Sequence, residues 1–380
     1  MNIACITTVN YNVGDDFVRE GISYLLAKRF GEIKVYNIHK HIPVTVRREF
    51  EWIYLSGLMH IIDKLPGING RRLSNVLDSV PRIKFTDKIL KADLLVQCGA
   101  PLYWCHQGGP HCANNEWFAP LIQRRYLNLK NYIPFLNLAV GTCQKYYSDG
   151  SEFANCGKCS SYIKEIYNIA KITTVRDKLA KTVLNLLGLD APLIPCPSIF
   201  ARDRLDIKEE KPRYICLNYM RLGGHYDFGQ HIDENQWEET FRSFYNAIKS
   251  NDNCIFVCHN KRELQDVKRI DPHARTFFSK DYKEYLNFYA HAKCGVVNRL
   301  HSAFAIASFG RPSFIIGTDS RTRMAEEIGL HHAFVPEVSA SRLLDEFEYM
   351  LKKGKEYQEM FFSIKSQAYK DYMSVLESLS

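Results

Sequence analysis

Short apolar runs closed by turn residues alternate along this chain with stretches in which apolar residues recur every three or four positions. Runs of roughly four to eight apolar residues fit fully buried strands, and the longer period fits amphipathic helices. Their alternation calls for parallel strands joined by helical crossovers. In the first half, strands are predicted at 2–9, 94–98, 135–140 and 172–175. Val18, Ile22, Leu25, Leu26 and Phe30 mark a helix after the first of them. Arg176 and Asp177 precede a helix running through Leu187 to a Gly188 stop. The charged stretch 201–212, ARDRLDIKEEKP, ends in proline and reads as a linker. A second series follows, with strands at 214–217, 254–258, 295–298 and 313–316. Tyr282, Tyr285, Leu286 and Tyr289 lie on one helix face, and the pattern is helical from Ser339 onward. The expected architecture is α/β: two Rossmann-like domains, 1–200 and 212–380, with an interdomain cleft at the carboxyl ends of their strands.

Composition supports this and removes other classes. At about 100–200 residues per domain, 380 residues suffice for two domains that each bury a core. With 46% hydrophobic and 24% charged residues, the chain is neither a disordered tail nor a disulfide miniprotein. Its 50 Lys and Arg exceed its 42 Asp and Glu by only 8, in no long basic block. Nucleic acid is therefore not an expected partner, and small or lipid-linked anions are better ones. No apolar run reaches the roughly 18 residues of a membrane span, and the first residues do not resemble a signal peptide. The expected location is cytoplasmic, with the inner face of the membrane as a docking place. Of 12 cysteines, Cys5, Cys98, Cys216, Cys254 and Cys258 sit in apolar runs, where they pack as small hydrophobes in a reducing compartment.

The segment richest in chemistry is CGVVNRLHSAFAIASFGRP, residues 294–312. A buried strand runs into Arg299, Leu300 and His301 and then into a helix of small residues. The unpaired amides and dipole of a helix start favour an anion, so Arg299 with the amides of Leu300 and His301 can hold a carboxylate or phosphate. A salt-bridged Arg and a capping His are the plainer reading. In the loop after the first strand, Asn12, Val13, Gly14, Asp15 and Asp16 allow a tight turn and a helix cap. The sharper role for Asp15 or Asp16 is to orient or deprotonate an acceptor hydroxyl, with Asn12 beside them.

These segments, with the Gly99-Ala100-Pro101-Leu102 turn, Val175-Arg176-Asp177 and Pro195-Cys196-Pro197-Ser198, occur in the order and spacing of a known family. The chain resembles the polysaccharide pyruvyl transferases over nearly its whole length. The resemblance implies a GT-B-like fold, similar to the two-domain nucleotide-sugar transferases. It also implies transfer of pyruvate from phosphoenolpyruvate to a sugar as a ketal. It further implies that Arg299 and His301 hold the donor with an upstream Arg, for which Arg221 is the candidate. Two guanidiniums can grip carboxylate and phosphate, while an imidazole can exchange the proton needed at the methylene carbon. A helix start lowers the pKa of His301 and an anionic donor raises it. The loop 317–323 stands where the family usually carries a lysine, and Arg321 or Arg323 can supply that charge.

Two departures stand out. Cys196 replaces a family aspartate, and the first domain carries Cys105, His106, His111, Cys112, Cys143, Cys156 and Cys159. Cys156-Gly157-Lys158-Cys159 is a knuckle that can present two thiolates to a structural zinc, with Cys105 and Cys143 as the expected completing pair and Cys112 as a further candidate. Unpaired thiols and an iron–sulfur cluster are the alternatives. Residues 52–62, flanked by Arg47, Arg48, Lys64, Arg71 and Arg72, form an apolar stretch that can touch a membrane or lipid diphosphate, or serve as a core helix. Trp104, Trp117 and Tyr103 can stack on a sugar or pack in the core. The expected function is pyruvyl transfer to a sugar of a surface polysaccharide or its lipid-linked precursor, with no cofactor required for chemistry. A glycosyltransferase using a nucleotide sugar and a non-catalytic redox sensor are the alternatives.

Overall fold

The computed structural model describes residues 1–39, 46 and 47, 92–106, 133–250 and 253–379. The flanking arginines and apolar stretch at 47–72, His111, Cys112 and Trp117 lie outside the described residues or side chains. The first domain contains β1 (Asn2–Thr7), α1 (Val13–Phe30), β2 (Lys34–His39), β3 (Val46–Arg47), β4 (Leu94–Cys98), β5 (Pro101–Tyr103) and β6 (Phe135–Thr142). It continues through α2 (Ser151–Asn155), α3 (Gly157–Ile169), β7 (Ile172–Val175) and α4 (Lys178–Leu186). The sheet runs β3-β2-β1-β4-β6-β5, with β7 also on β6, and every pair except β2 with β3 is parallel.

β4 and β6 are buried at every position, as parallel strands covered on both faces require. α1 begins where Asn12 Oδ1 accepts the Gly14 N–H at 3.1 Å. Asp15 and Asp16 stand in its first turn and Lys28 and Arg29 in its last, matching the helix dipole. α4 starts on the Asp177 cap, which accepts from Ala180 N at 2.7 Å.

A short helix, α5 (Ala201–Arg204), leads into the second domain. The linker expected at 201–212 packs down in its first turn. Ala201 is buried, Asp203 pairs with Lys365 at 2.6 Å, and Arg202 lies over the Phe309 ring. The domain contains β8 (Tyr214–Asn218), α6 (Glu234–Ile248), β9 (Cys254–Val257), α7 (Lys261–Ile270) and β10 (Thr276–Phe277). Then come α8 (Tyr282–Tyr289), β11 (Ala292–Val297), α9 (Leu300–Ala307), β12 (Ser313–Gly317), β13 (His331–Phe334) and α10 (Ala340–Glu377). Its sheet, β10-β9-β8-β11-β12-β13, is parallel throughout. That is the 3-2-1-4-5-6 order of a doubly wound sheet, which binds at its switch point.

Three contacts hold the two sheets with their carboxyl ends facing. α1 lies against the second domain, with Phe17 edge-on to Tyr289 and the Tyr282 hydroxyl donating to Glu20 at 2.8 Å. The segment after β6 meets the one after β12, where Ser320 N donates to Gln144 O at 2.9 Å. The 38-residue α10 returns to the first domain, where the Tyr372 hydroxyl donates to Pro195 O at 3.1 Å. Among the described residues, no helix is long and apolar enough to cross a membrane.

Two helix glycines separate packing from propensity. A Cβ on Gly21 of α1 would stand 1.7 Å from the Pro197 carbonyl oxygen, whereas one on Gly354 of α10 meets nothing within 4 Å. Gly→Ala gains roughly 1 kcal/mol of helix propensity at either place. Gly354→Ala should raise stability by roughly that amount, and Gly21→Ala should lower it by about 1–3 kcal/mol because the backbone must move. Urea denaturation of both variants checks the pair, and equal shifts would remove the close-packing account of α1.

Candidate active site

The facing strand ends enclose a cavity of about 370 Å³. The first domain contributes Tyr11, Asn12, Gly14 and Asp15 after β1, Pro101 and Trp104 around β5, and Arg176 after β7. The second contributes His225 and Tyr226 after β8, His259 after β9, Asn298 to His301 after β11, and Gly317 to Thr322 after β12. The sequence-predicted Asn12, Asp15, Trp104, Arg299, Leu300, His301 and Arg321 thus converge on one space.

His301 is held tightly. A Cβ on Gly14 would stand 2.5 Å from its Nδ1, so only glycine lets α1 lie this close. Its Nε2 is 3.8 Å from Cys196 Sγ. Burial, then the Arg176 charge, push its pKa down to about 3 against the opposing pull of Asp15. The imidazole is therefore neutral in the empty cleft.

Arg176 sits on the far side of the same thiol, its Nη1 3.6 Å from Cys196 Sγ. It is 2% exposed, its Nε has no hydrogen-bond partner, and no ion pair joins it to a carboxylate among the described residues. An unpaired guanidinium in such a place is costly unless something anionic joins it. The sequence holds a signal for it, a cation directly after a strand, but the segment is read there as a helix start and a family motif, with no ligand role for Arg176.

Arg299 and Arg321 differ in being paired. Arg299 Nε donates to Glu263 Oε1 at 2.9 Å, its Nη2 pairs with the same carboxylate, and its Nη1 meets His225 Nε2. Asn218 Oδ1 fixes its backbone by accepting from Arg299 N at 2.9 Å. Glu263 ionises below the usual carboxylate range because Arg299 and the His259 N–H outweigh burial. Arg299 and burial together keep His225 neutral. Burial pushes His259 down to about 3, and its Nε2 lies 2.9 Å from the Tyr289 hydroxyl and 3.2 Å from Ser302 Oγ. Arg321 binds Asp319 with two bonds, at 2.8 and 2.6 Å, beneath the Tyr226 ring. Arg299 makes no side-chain cap for α9, and Leu300 and His301, the first residues of that helix, line the cavity. Trp104 stands edge-on to Tyr226, with centroids 4.9 Å apart.

Five sequence-predicted residues lie elsewhere. Arg221 pairs with Glu234 at 2.6 Å, outside the cavity, because the following turn brings His225 and Tyr226 inward instead. Arg323 reaches back to the Tyr146 and Ser148 carbonyls at 3.5 and 3.3 Å. Asp16 is fully buried against Arg19 at 2.6 Å and accepts the Asn10 N–H. Cys143 packs with Trp104 against Tyr226 and Phe228, away from Cys156 and Cys159. Tyr103 is buried in the core of the first domain.

Two largely parallel sheets with a cleft between the carboxyl ends of their strands define a two-domain, GT-B-type protein. Residues 12–320 match the polysaccharide pyruvyl transferase family, and the chain belongs to it. No curated protein matches the chain. Its fold is similar to that of the Neisseria meningitidis UDP-GlcNAc 2-epimerase bound to UDP-GlcNAc (TM-score 0.55, 9% identity, all of both chains). It is also similar to the Methanocaldococcus jannaschii UDP-GlcNAc 2-epimerase in complex with UDP-GlcNAc and UDP (TM-score 0.52, 13% identity, 96% of this chain and 100% of that one). At such identities the likeness concerns fold alone.

The depressed pKa of His301 links stability to pH. Its neutral form is favoured in the folded protein, whereas the unfolded side chain titrates near 6.5. The contribution is complete above about pH 6.5 and is lost as pH falls from there toward 3, at roughly 1.4 kcal/mol per unit. Denaturation of the wild type and His301→Asn between pH 7 and 4.5 should give slopes differing by about that amount. Parallel slopes would show that the imidazole titrates normally.

Proposed function

We propose that the chain transfers pyruvate from phosphoenolpyruvate to two hydroxyls of a sugar, forming a ketal and releasing phosphate. The observation that carries this reading is the buried Arg176, which has no carboxylate within ion-pair distance among the described residues, beside a neutral His301 at the start of α9. A donor with a carboxylate and a phosphate on one small carbon skeleton matches such a wall. Arg176 takes one anionic group, and Arg299, Arg321 and the first amides of α9 take the other, in charge-assisted bonds.

The bound anion raises the pKa of His301, offsetting burial and the Arg176 charge. The imidazole then takes up a proton and delivers it to the methylene carbon, whose double bond supplies the electron pair for the new C–H bond. The adjacent carbon becomes oxocarbenium-like, and a sugar hydroxyl attacks it, losing its proton to a base for which Asp15 is the candidate. The phosphate then departs with the C–O bonding pair. A second hydroxyl attacks the same carbon and closes the ketal, and its proton leaves with phosphate. Trp104 supplies an aromatic face for the acceptor ring. The acceptor is a sugar of a surface polysaccharide or of its lipid-linked precursor, and the location that fits it is the cytoplasm, at the inner face of the membrane when the acceptor is lipid-linked.

Phosphoenolpyruvate should raise the melting temperature, and UDP-GlcNAc should not. Arg176→Ala removes charge-assisted bonds worth roughly 1.5–3 kcal/mol and should weaken phosphoenolpyruvate binding about tenfold or more. Arg221→Ala, outside the cavity, should bind it as the wild type does. His301→Ala should lower phosphate release in the presence of acceptor by about 100- to 10,000-fold with a much smaller change in binding. Calorimetry in buffers of different ionisation enthalpy should detect proton uptake on donor binding. A stabilising nucleotide sugar with indifference to phosphoenolpyruvate would replace this reading with glycosyl transfer.

A further inference from the structure

The cysteine group of the first domain lies apart from the residues that line the cavity, and its geometry points to an ion. The Sγ atoms of Cys105, Cys156 and Cys159 and a ring nitrogen of His106 all lie within 4.8 Å of one another. Cys159 Sγ is 3.3 Å from His106 Nδ1, and Cys156 Sγ is 3.9 Å from Nε2 of the same ring. A tetrahedral zinc with Zn–S near 2.3 Å and Zn–N near 2.0–2.1 Å separates its ligand atoms by about 3.5–3.8 Å. The side chains therefore need to move only a little to close on one ion. We propose that Cys105, His106, Cys156 and Cys159 form a structural zinc site.

The backbone supports the thiolates. Cys156 is the N-cap of α3, and Cys159 lies in its first turn. The positive end of the helix dipole favours thiolates there. Cys105 and His106 arrive from β5, so the ion ties that strand end to the start of α3. The three cysteines are buried and His106 is exposed, which leaves the ion a route in. Cys105 Sγ lies 3.4 Å from the Glu152 carbonyl oxygen; as a thiol it donates there, and on binding zinc it releases that proton. Four protein ligands leave no open position, so the role is to hold structure rather than to activate water. Soft thiolates select zinc over magnesium or calcium. A multi-iron cluster places its ligands on different metal atoms, farther apart than this group. Trp104, next to Cys105 in the chain, lines the cleft, so the ion also steadies the segment that presents this ring.

The test uses the full chain purified under reducing conditions without a metal-binding tag. Elemental analysis should give about one zinc per chain. Chelation should lower the melting temperature, and one equivalent of Zn²⁺ should restore it. Co²⁺ added to the stripped protein should give the thiolate charge-transfer and visible bands of a tetrahedral, sulfur-rich site. His106→Ala, an exposed position, and Cys159→Ser should each lose zinc at least tenfold more readily to a competing chelator, while Cys143→Ser keeps its full equivalent. Should both ligand variants fail to fold, the Co²⁺ spectrum of the wild type decides alone. Stripped protein that binds neither Zn²⁺ nor Co²⁺ would overturn the site. Full zinc retention in the ligand variants, or stoichiometric iron with visible absorption, would do so as well.

Discussion

The close approach of α1 to the start of α9 organises the rest of the structure. Gly14 brings one domain's first helix against the imidazole of the other, and Gly21 lets the same helix lie on the Pro197 carbonyl. A side chain at Gly14 would push the two domains apart beside the cavity, and one at Gly21 would lift α1 off the Pro197 carbonyl. The packing of Phe17 on Tyr289 and the bond from Tyr282 to Glu20 are available only at that separation. Two Rossmann-like units would otherwise meet through a small, polar interface that permits relative motion. Here α1 and the returning α10 make the interface apolar and continuous with the core.

Burial at this contact also decides the protonation states. Removing a charge from water disfavours it, so His259 and His301 are neutral and His225 follows under the influence of Arg299. Arginine cannot respond in this way, because its pKa is too high for deprotonation. It must find a carboxylate or carry the penalty. Arg299 finds Glu263 and Arg321 finds Asp319. Among the described residues Arg176 finds the Cys196 thiol as a hydrogen-bond partner and no carboxylate within ion-pair distance.

Most strands were legible because fully buried parallel strands are continuous apolar runs; 94–98 and 172–175 match to the residue. β2, KVYNIH, was missed because Lys34 and Asn37 break its apolar run. The cleft was legible too, since Arg299 and His301 follow a strand and open a helix. Side-chain direction was not. Asp15 and Asp16 are adjacent, yet about 100° of helical rotation sends one to the cavity and the other to Arg19. Arg221 follows β8 as a donor ligand would, but Gly223, at φ 67°, turns the chain so that His225 and Tyr226 face inward. The fourth member of the cysteine group was sought among cysteines, and spacing alone could not separate Cys143 from His106.

The charged groups of this cleft differ in depth rather than in number. The guanidiniums of Arg176, Arg299 and Arg321 are matched in number by the carboxylates of Asp15, Glu263 and Asp319, so the wall as a whole is nearly neutral. The carboxylates, however, lie deeper. Glu263 and Asp319 side chains are 2% and 5% exposed, while those of Arg299 and Arg321 are 11% and 22% exposed. Each paired guanidinium spends one edge on its carboxylate and keeps donors toward the cavity. A ligand thus meets cations already oriented by the anions behind them, and it need not bear the entropy of ordering long side chains. Arg176 has no carboxylate within ion-pair distance among the described residues, although it lies near enough to Asp177 to lower that carboxyl's pKa against burial. Two kinds of guanidinium, one held from behind by a carboxylate and one without a carboxylate in ion-pair distance among the described residues, thus line the same cavity.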